Sequence, residues 1–320
     1  IKKSPLWVLR QLTDPIYRLF WGELSYLYHI KTNSHLKSIS RQYVTLQAIK
    51  ARPANSIGAP GRLLDLLNES IGGRKQIVVL GEPGSGKTTS LEALAYRLAR
   101  EAYQFQLRVW IIVLLLVSSL VIFFSPWCIF LIFGFRFLDF IFNYWPIPVL
   151  IELRHYEDGN VEDFLKKAVA DHVGGERISN KLQTYVERSR IVWLLDGMNE
   201  IKGGASGGIL ENWRETFRQG HYFAQSSIVI TSRTGENPAG RLAIENIFRI
   251  VDLDNDGVLE FLRAYGSKNV VEDLRALTYN NMLEEHGLGR NPYWLKMMVE
   301  SDLYTRNRGA LFENFTRHLI

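Results

Sequence analysis

Cysteine is almost missing from these 320 residues: Cys128 stands alone, inside an apolar run. A single thiol excludes an intramolecular disulfide framework and any cluster of thiolate metal ligands, and it suits a reducing compartment. No segment recurs at a fixed period, which excludes solenoid and propeller architectures. Charge is absent from residues 109–133, 25 consecutive positions dominated by Ile, Leu, Val, Phe and Trp. What is present is the composition of a packed protein, 47% hydrophobic and 22% charged, in a chain long enough for one large or two ordinary domains. The net charge of +5 sits in residues 1–50, which hold eight Lys/Arg against two Asp/Glu; the remainder, with 30 against 31, is nearly neutral. Trp7, Tyr17, Trp21, Tyr26 and Tyr28 are interleaved with this basic leader. That pattern is compatible with a surface for anionic lipid or nucleic acid, but helices that expose Lys and Arg to water explain it more simply, so no nucleic-acid partner is expected. The chain opens at Ile1 and stops within a helical pattern, so it is read as part of a longer one.

The most informative stretch is Gly81-Glu82-Pro83-Gly84-Ser85-Gly86-Lys87-Thr88-Thr89, a complete G-x-x-x-x-G-K-[ST] loop. An apolar strand pattern, Gln76 to Leu80, precedes it, and helical periodicity from Leu91 to Arg100 follows. Strand, glycine loop and helix are the context in which backbone N–H groups and a helix N-terminus cradle phosphates. Lys87 is then expected at the β/γ-phosphates and the Thr88 hydroxyl at Mg²⁺.

Residues 1–50 read as short helices, with Asp14-Pro15 opening Ile16 to His29, and residues 51–61, rich in Pro and Gly, as a linker. A short helix, Arg62 to Ile71, then leads into the phosphate-loop strand. The uncharged run has membrane-span length. A single crossing would put the loop and the next strand, Ile147 to Leu153, on opposite sides of a bilayer, and one sheet cannot be divided so. The run is therefore read as a hairpin over 109–142, with arms Val109 to Phe124 and Trp127 to Phe142 turning at Ser125-Pro126. Each arm would span about 24 Å, short of the ~30 Å hydrocarbon core, so a thin or partly inserted hairpin is expected. Arg97, Arg100 and Arg108 before it and Arg154 after it put both flanks on the cytoplasmic face.

Ile191 to Leu195 is an apolar run ending in Asp196, the form of a second nucleotide motif, with Asp196 expected at Mg²⁺ and Glu200, four residues on, able to polarise an attacking water. Ser226 to Arg233 is another buried strand, whose Arg233 can reach a γ-phosphate. Phe248 to Leu253 supplies a further strand, and helical patterns fill Val258–Tyr265, Val270–Leu277, Pro292–Leu303 and Leu311–Ile320. Asp252-Leu253-Asp254-Asn255-Asp256-Gly257 imitates half of a calcium loop, but the twelfth position is Arg263, and a turn with an N-cap before Val258 is the preferred reading.

Together these segments make an α/β protein: a three-layer parallel sheet of the P-loop NTPase (ASCE) type, then a small all-helical domain, with an inserted hydrophobic helical hairpin. The expected division is a helical basic leader and linker (1–61), a nucleotide-binding domain containing the hairpin (62–253) and the helical domain (254–320). The set resembles a NACHT NTPase of the signal-transduction ATPase (STAND) class. Its carriers are the loop at 81–89, Pro146-Ile147-Pro148-Val149 with Glu152-Leu153-Arg154, Leu194-Leu195-Asp196-Gly197-Met198-Asn199-Glu200, Ile230-Thr231-Ser232-Arg233 and Asn291-Pro292-Tyr293-Trp294-Leu295. Asn199 departs from the common Asp-Gly-x-Asp-Glu form.

The resemblance implies Arg233 as a sensor arginine, Pro292 as the helical-domain proline that contacts the nucleotide, and Tyr43 as an aromatic preceding the loop. It implies an ATP/ADP switch with Mg²⁺, self-association on activation, an unknown trigger ligand and a role in defence or regulatory signalling. The hairpin is no part of the general family pattern and suggests a membrane-tethered variant. The rivals are a continuously cycling membrane ATPase and an ATP-binding scaffold without useful hydrolysis. An ABC-type ATPase is disfavoured because no Leu-Ser-Gly-Gly-Gln signature lies between the two nucleotide motifs.

Overall fold

The computed structural model describes residues 23–51, 60–73, 75–122, 145–157, 159–173, 175–201, 207–218, 221–265 and 269–319. Its centre is a seven-stranded sheet: β1 (Gln47–Ala51), β2 (Gly61–Arg62), β3 (Gln76–Gly81), β4 (Ile147–Glu152), β5 (Ile191–Asp196), β6 (Ser227–Arg233) and β7 (Asn246–Ile250), in the order β2-β1-β7-β3-β6-β5-β4. The five strands from β7 to β4 are parallel. The phosphate-loop strand β3 and the strand ending in Asp196, β5, are separated by β6.

Successive residues of the central strands feed opposite faces, the period-two rule of a pleated strand. Val78, Leu80, Ile147, Val149, Trp193 and Ile230 join one buried cluster, whereas Ile77, Val79, Val192, Leu194 and Val229 join another. Both faces are therefore covered, which is why these strands read as continuous apolar runs rather than alternating ones. The first cluster takes in α5 (Val161–Asp171), α7 (Leu182–Glu187), which follows the single turn α6 (Glu176–Ser179), and α8 (Gly207–Thr216). The second takes in α3 (Leu63–Gly72), the first turns of α4 (Lys87–Ile122), and the helices after Leu253. A short helix, α9 (Ala239–Leu242), precedes β7.

The sheet is not wholly parallel. β1 runs antiparallel to both β7 and β2. The sequence reading had this region as helix and linker. It overlooked the alternation of Val44, Leu46 and Ala48, which are buried, with Thr45, Gln47 and Ile49, which are partly exposed. Two helices do occur in the leader, α1 (residues 23–32) and α2 (Ser34–Gln42), the second capped by the Asn33 side chain. Residues 1–22, with Asp14-Pro15, lie outside the described residues.

After β7 come α10 (Asn255–Ala264), α11 (Val270–Tyr279), α12 (Pro292–Ser301) and α13 (Arg308–Leu319). Asp254 opens α10 by accepting the Gly257 N–H at 2.7 Å and also accepts the Gln47 amide at 2.7 Å, the turn-and-cap role expected of this acidic segment. The helical part shares its apolar core with one face of the sheet: Val258, Phe261, Leu277, Leu295 and Met298 pack in the cluster that holds Leu63, Leu91 and Val79.

The helix after the phosphate loop continues without a break from Lys87 to Ile122, 36 residues and about 54 Å. The first arm of the expected hairpin is thus an extension of this helix through Ile122, and the second arm, Trp127 to Phe142, lies outside the described residues. The described uncharged stretch, 109–122, is about 21 Å long, and among the described residues no helix is long and apolar enough to cross a membrane.

At the amino-terminal end of the parallel strands a buried ion pair fastens the leader. The Arg190 guanidinium donates to both Glu23 carboxylate oxygens at 2.7 Å, and the Tyr185 hydroxyl and Gln106 amide donate to the same carboxylate at 2.7 and 3.2 Å. Glu23 and Arg190 are each under 5% exposed, so removing one partner strands the other charge in the core. Arg190→Met is expected to lower stability by about 3–5 kcal/mol, and Glu23→Leu with Arg190→Met to recover most of that loss; urea denaturation of the three proteins checks it.

Candidate functional site

A cleft of about 660 Å³ opens where β3, β5 and β6 end in Gly81, Asp196 and Arg233. This is the carboxyl edge of the sheet, where the first turn of each following segment points its backbone N–H groups outward. Gly81 stands beside Arg233 in the β3–β6 register. The loop from Glu82 to Gly86 depends on two left-handed glycines, Gly84 at φ +76° and Gly86 at φ +89°. A side chain at Gly86 would meet Leu46, and one at Gly81 would collide with Ser85 Oγ. Ser85 Oγ is buried and makes no hydrogen bond among the described residues, an orphaned donor inside the loop. Lys87 Nζ donates to the Gly81 and Glu82 carbonyls at 2.8 and 2.9 Å, which fixes the ammonium along the loop.

Asp196 is held from two sides. Thr88 Oγ1 donates to one carboxylate oxygen at 2.7 Å and Thr231 Oγ1 to the other at 2.5 Å, while Thr231 also accepts the Gly197 N–H at 2.8 Å. Two hard oxygen donors, Thr88 and Asp196, thus meet beside the loop, a donor set that fits Mg²⁺. The chain after Asp196 turns through Gly197 at φ +79° and carries Glu200 back over that glycine. Asn199 Oδ1 accepts the Arg233 backbone N–H at 3.2 Å, a bond that an aspartate oxygen would make equally.

The helical part touches the loop directly. Tyr293 N–H donates to the Gly84 carbonyl at 3.3 Å, and the Asn291 amide donates to the Pro83 carbonyl at 3.2 Å. Asn291 is also the N-cap of α12, accepting from Tyr293 N–H, with Pro292 in the first turn. The half-buried Tyr43 also lines the cleft, its hydroxyl 3.3 Å from Ser90 Oγ, and burial pushes its pKa up to about 12. Phe261 and Tyr265 stack with ring centroids 4.2 Å apart, and both line the cleft with Lys296. His35 and Glu92 meet at 3.2 Å on its rim.

Of the expected residues, Pro83, Gly84, Gly86, Lys87, Thr88, Thr89, Asp196, Glu200, Arg233 and Pro292 all line this cleft, brought from four separate segments. Gly81 and Glu82 contribute carbonyls to Lys87, and Ser85 packs beneath the loop. Sequence reasoning gave no role to Thr231, Asn291 or Tyr293. Thr231 carried a usable signal, a buried hydroxyl directly after the apolar run Ile228-Val229-Ile230. Asn291 and Tyr293 reach the loop from more than two hundred residues away, and no local pattern foretells that.

The sequence matches no protein-family model and no curated protein. Among solved structures, the crystal structure of Cdc6p from Pyrobaculum aerophilum aligns with a TM-score of 0.41 and 14% identity, over 83% of this chain and 67% of that one. At that level nothing about the chemistry of this chain follows from the likeness. The glycine loop lies between β3 and α4, with the second motif at the end of β5, the strand–loop–helix context in which such a loop can hold phosphate.

A methyl group at Gly84 would stand 2.5 Å from Tyr293 Cβ and would hold an unfavourable φ. Gly84→Ala is expected to lose at least about 1–2 kcal/mol and to pry α12 from the loop, seen as a lower thermal midpoint and faster amide exchange at Tyr293. Burial first, then Arg233, lowers the Lys87 pKa from 10.5, against the pull of Asp196, Glu82 and Glu200. Between the lowered value and 10.5 the unfolded chain holds a proton that the native lysine has released, so native stability rises with pH there. Urea midpoints are expected to show the wild type gaining on Lys87→Met through that window.

Proposed function

We propose that the chain is a NACHT-type ATP-binding and ATP-hydrolysing switch, tethered to the cytoplasmic face of a membrane through the 109–142 segment. In it, exchange of ADP for ATP controls self-association. The observation that carries this reading is the pair of hydrogen bonds from Asn291 and Tyr293 to the carbonyls of Pro83 and Gly84. A loop that wraps phosphates and also anchors the helical part must couple the two, and a switch requires such a differential contact. Arg233 and Lys87 supply charge for a γ-phosphate that ADP lacks.

Thr88 and Asp196 would hold Mg²⁺, which when bound neutralises phosphate charge. Thr231 keeps the Asp196 carboxylate turned toward Thr88. Glu200, beside Gly197, takes the proton from the attacking water. Asn199 leaves this machinery whole, since its contact is with the Arg233 backbone and not with the reacting groups. The uncharged run continuing α4 supports the tether.

Nucleotide released by acid from the purified protein is expected to be ADP, with slow steady turnover; an empty site with rapid turnover would instead identify a continuously cycling ATPase. Lys87→Ala should come out empty. Glu200→Gln should retain nucleotide and turn over about 10²–10⁴-fold more slowly. Unchanged turnover in that variant would remove Glu200 from its role. The chain should stay with membranes through alkaline carbonate extraction, and its release would end the tether reading.

A further inference from the structure

The end of the sheet away from the cleft carries a collar of aromatic and basic side chains. On α4, Tyr103 and Phe105 are partly exposed, Leu107 is 39% exposed and Arg108 is exposed just before the uncharged run, and Ile111, inside it, is 56% exposed. Trp145, where the chain returns before β4, lies against Phe105 with ring centroids 5.1 Å apart. From the leader, Tyr28 of α1 is 53% exposed and contacts Tyr103 at 5.8 Å, while Lys31 Nζ sits 4.3 Å above the Tyr103 ring.

The Tyr28 and Tyr103 rings, exposed or partly exposed beside cations and next to an apolar helix, are what membrane–water interfaces select, while Trp145 Nε1 is buried. The collar is also rigid. One turn from Tyr103, Gln106 is tied into the buried Glu23–Arg190 pair, so α1 and α4 leave this end of the domain as one unit. The acidic group at this junction, Glu23, is neutralised by Arg190, whereas Arg108 faces solvent.

We infer that this face, built from α1, α4 and Trp145 just before β4, rests in the interface of an anionic bilayer. The nucleotide cleft then points away from the membrane, about 32 Å along α4 from Lys87 to Arg108. The inference rests on the tether reading but adds to it: the hairpin sets only where the chain enters the bilayer, whereas the collar sets which face of the domain meets it. The helical part and its contact with the phosphate loop are thereby kept in the aqueous phase, free to move when the nucleotide changes. Lys31 and Arg108 supply attraction for acidic headgroups.

Spin labels on single cysteines at Tyr28, Leu107 and, as the aqueous reference, the exposed Lys37 of α2, in the full chain with Cys128→Ser, test this in phosphatidylcholine vesicles containing phosphatidylserine. At Tyr28→Cys and Leu107→Cys the ratio of collisions with oxygen to those with a water-soluble nickel complex should rise several-fold over Lys37→Cys. If the chain floats with the vesicles but both labels are as wet as the reference, the collar is overturned and the tether stands. If the chain does not float, both readings fall. Labels shielded from both probes would mean that a second copy covers the face, which also overturns the proposal. Lys31→Glu with Arg108→Glu should return the labels toward water; no change on charge reversal would overturn the requirement for anionic lipid.

Discussion

Two hydrogen bonds, from Asn291 and Tyr293 to successive carbonyls of the phosphate loop, join that loop to the helical part, which also shares an apolar core with the sheet. Apolar packing is non-directional and tolerates sliding, but hydrogen bonds to the Pro83 and Gly84 carbonyls do not. The loop must approach α12 closely for these bonds to form, and Gly84, with no Cβ and a left-handed backbone, makes that approach possible. Placement of the helical part thus draws on Pro83 and Gly84, two residues of the loop proposed to hold phosphate.

The site is layered around this junction. Thr231 and Thr88 orient Asp196, Asn199 fixes the backbone of Arg233, and Gly197 lets Glu200 return over the strand end. Each is a short polar contact at the mouth of a sheet whose strands are buried on both faces, so the strands act as a rigid frame and the loops carry the chemistry. At the opposite end, the Glu23–Arg190 pair clamps the leader to the base of the same sheet. The cleft and the Glu23–Arg190 pair therefore lie at opposite ends of the sheet, with α4 running between them.

The central strands and the phosphate loop were legible because their signals are local. Four to six consecutive apolar residues specify a buried parallel strand, and the glycine loop needs only its immediate flanks. β1 was missed because the alternation of Val44, Leu46 and Ala48 is a weak signal whose meaning depends on β7, two hundred residues later. The reading of α4 and the apolar run as separate helices failed for a related reason: nothing between Arg100 and Trp110 breaks a helix, and composition alone does not say where one ends.

By itself the sequence determined the phosphate loop, the carboxylates at the end of β5 and the strand periodicities, because each depends on neighbours within a few residues. Only the tertiary structure decided which groups meet. Thr231 on Asp196, Asn291 and Tyr293 on the loop, and Glu23 on Arg190 all join residues at least 35 apart in the chain. Such contacts are fixed by strand order and by the packing of a shared core, and no local propensity encodes either.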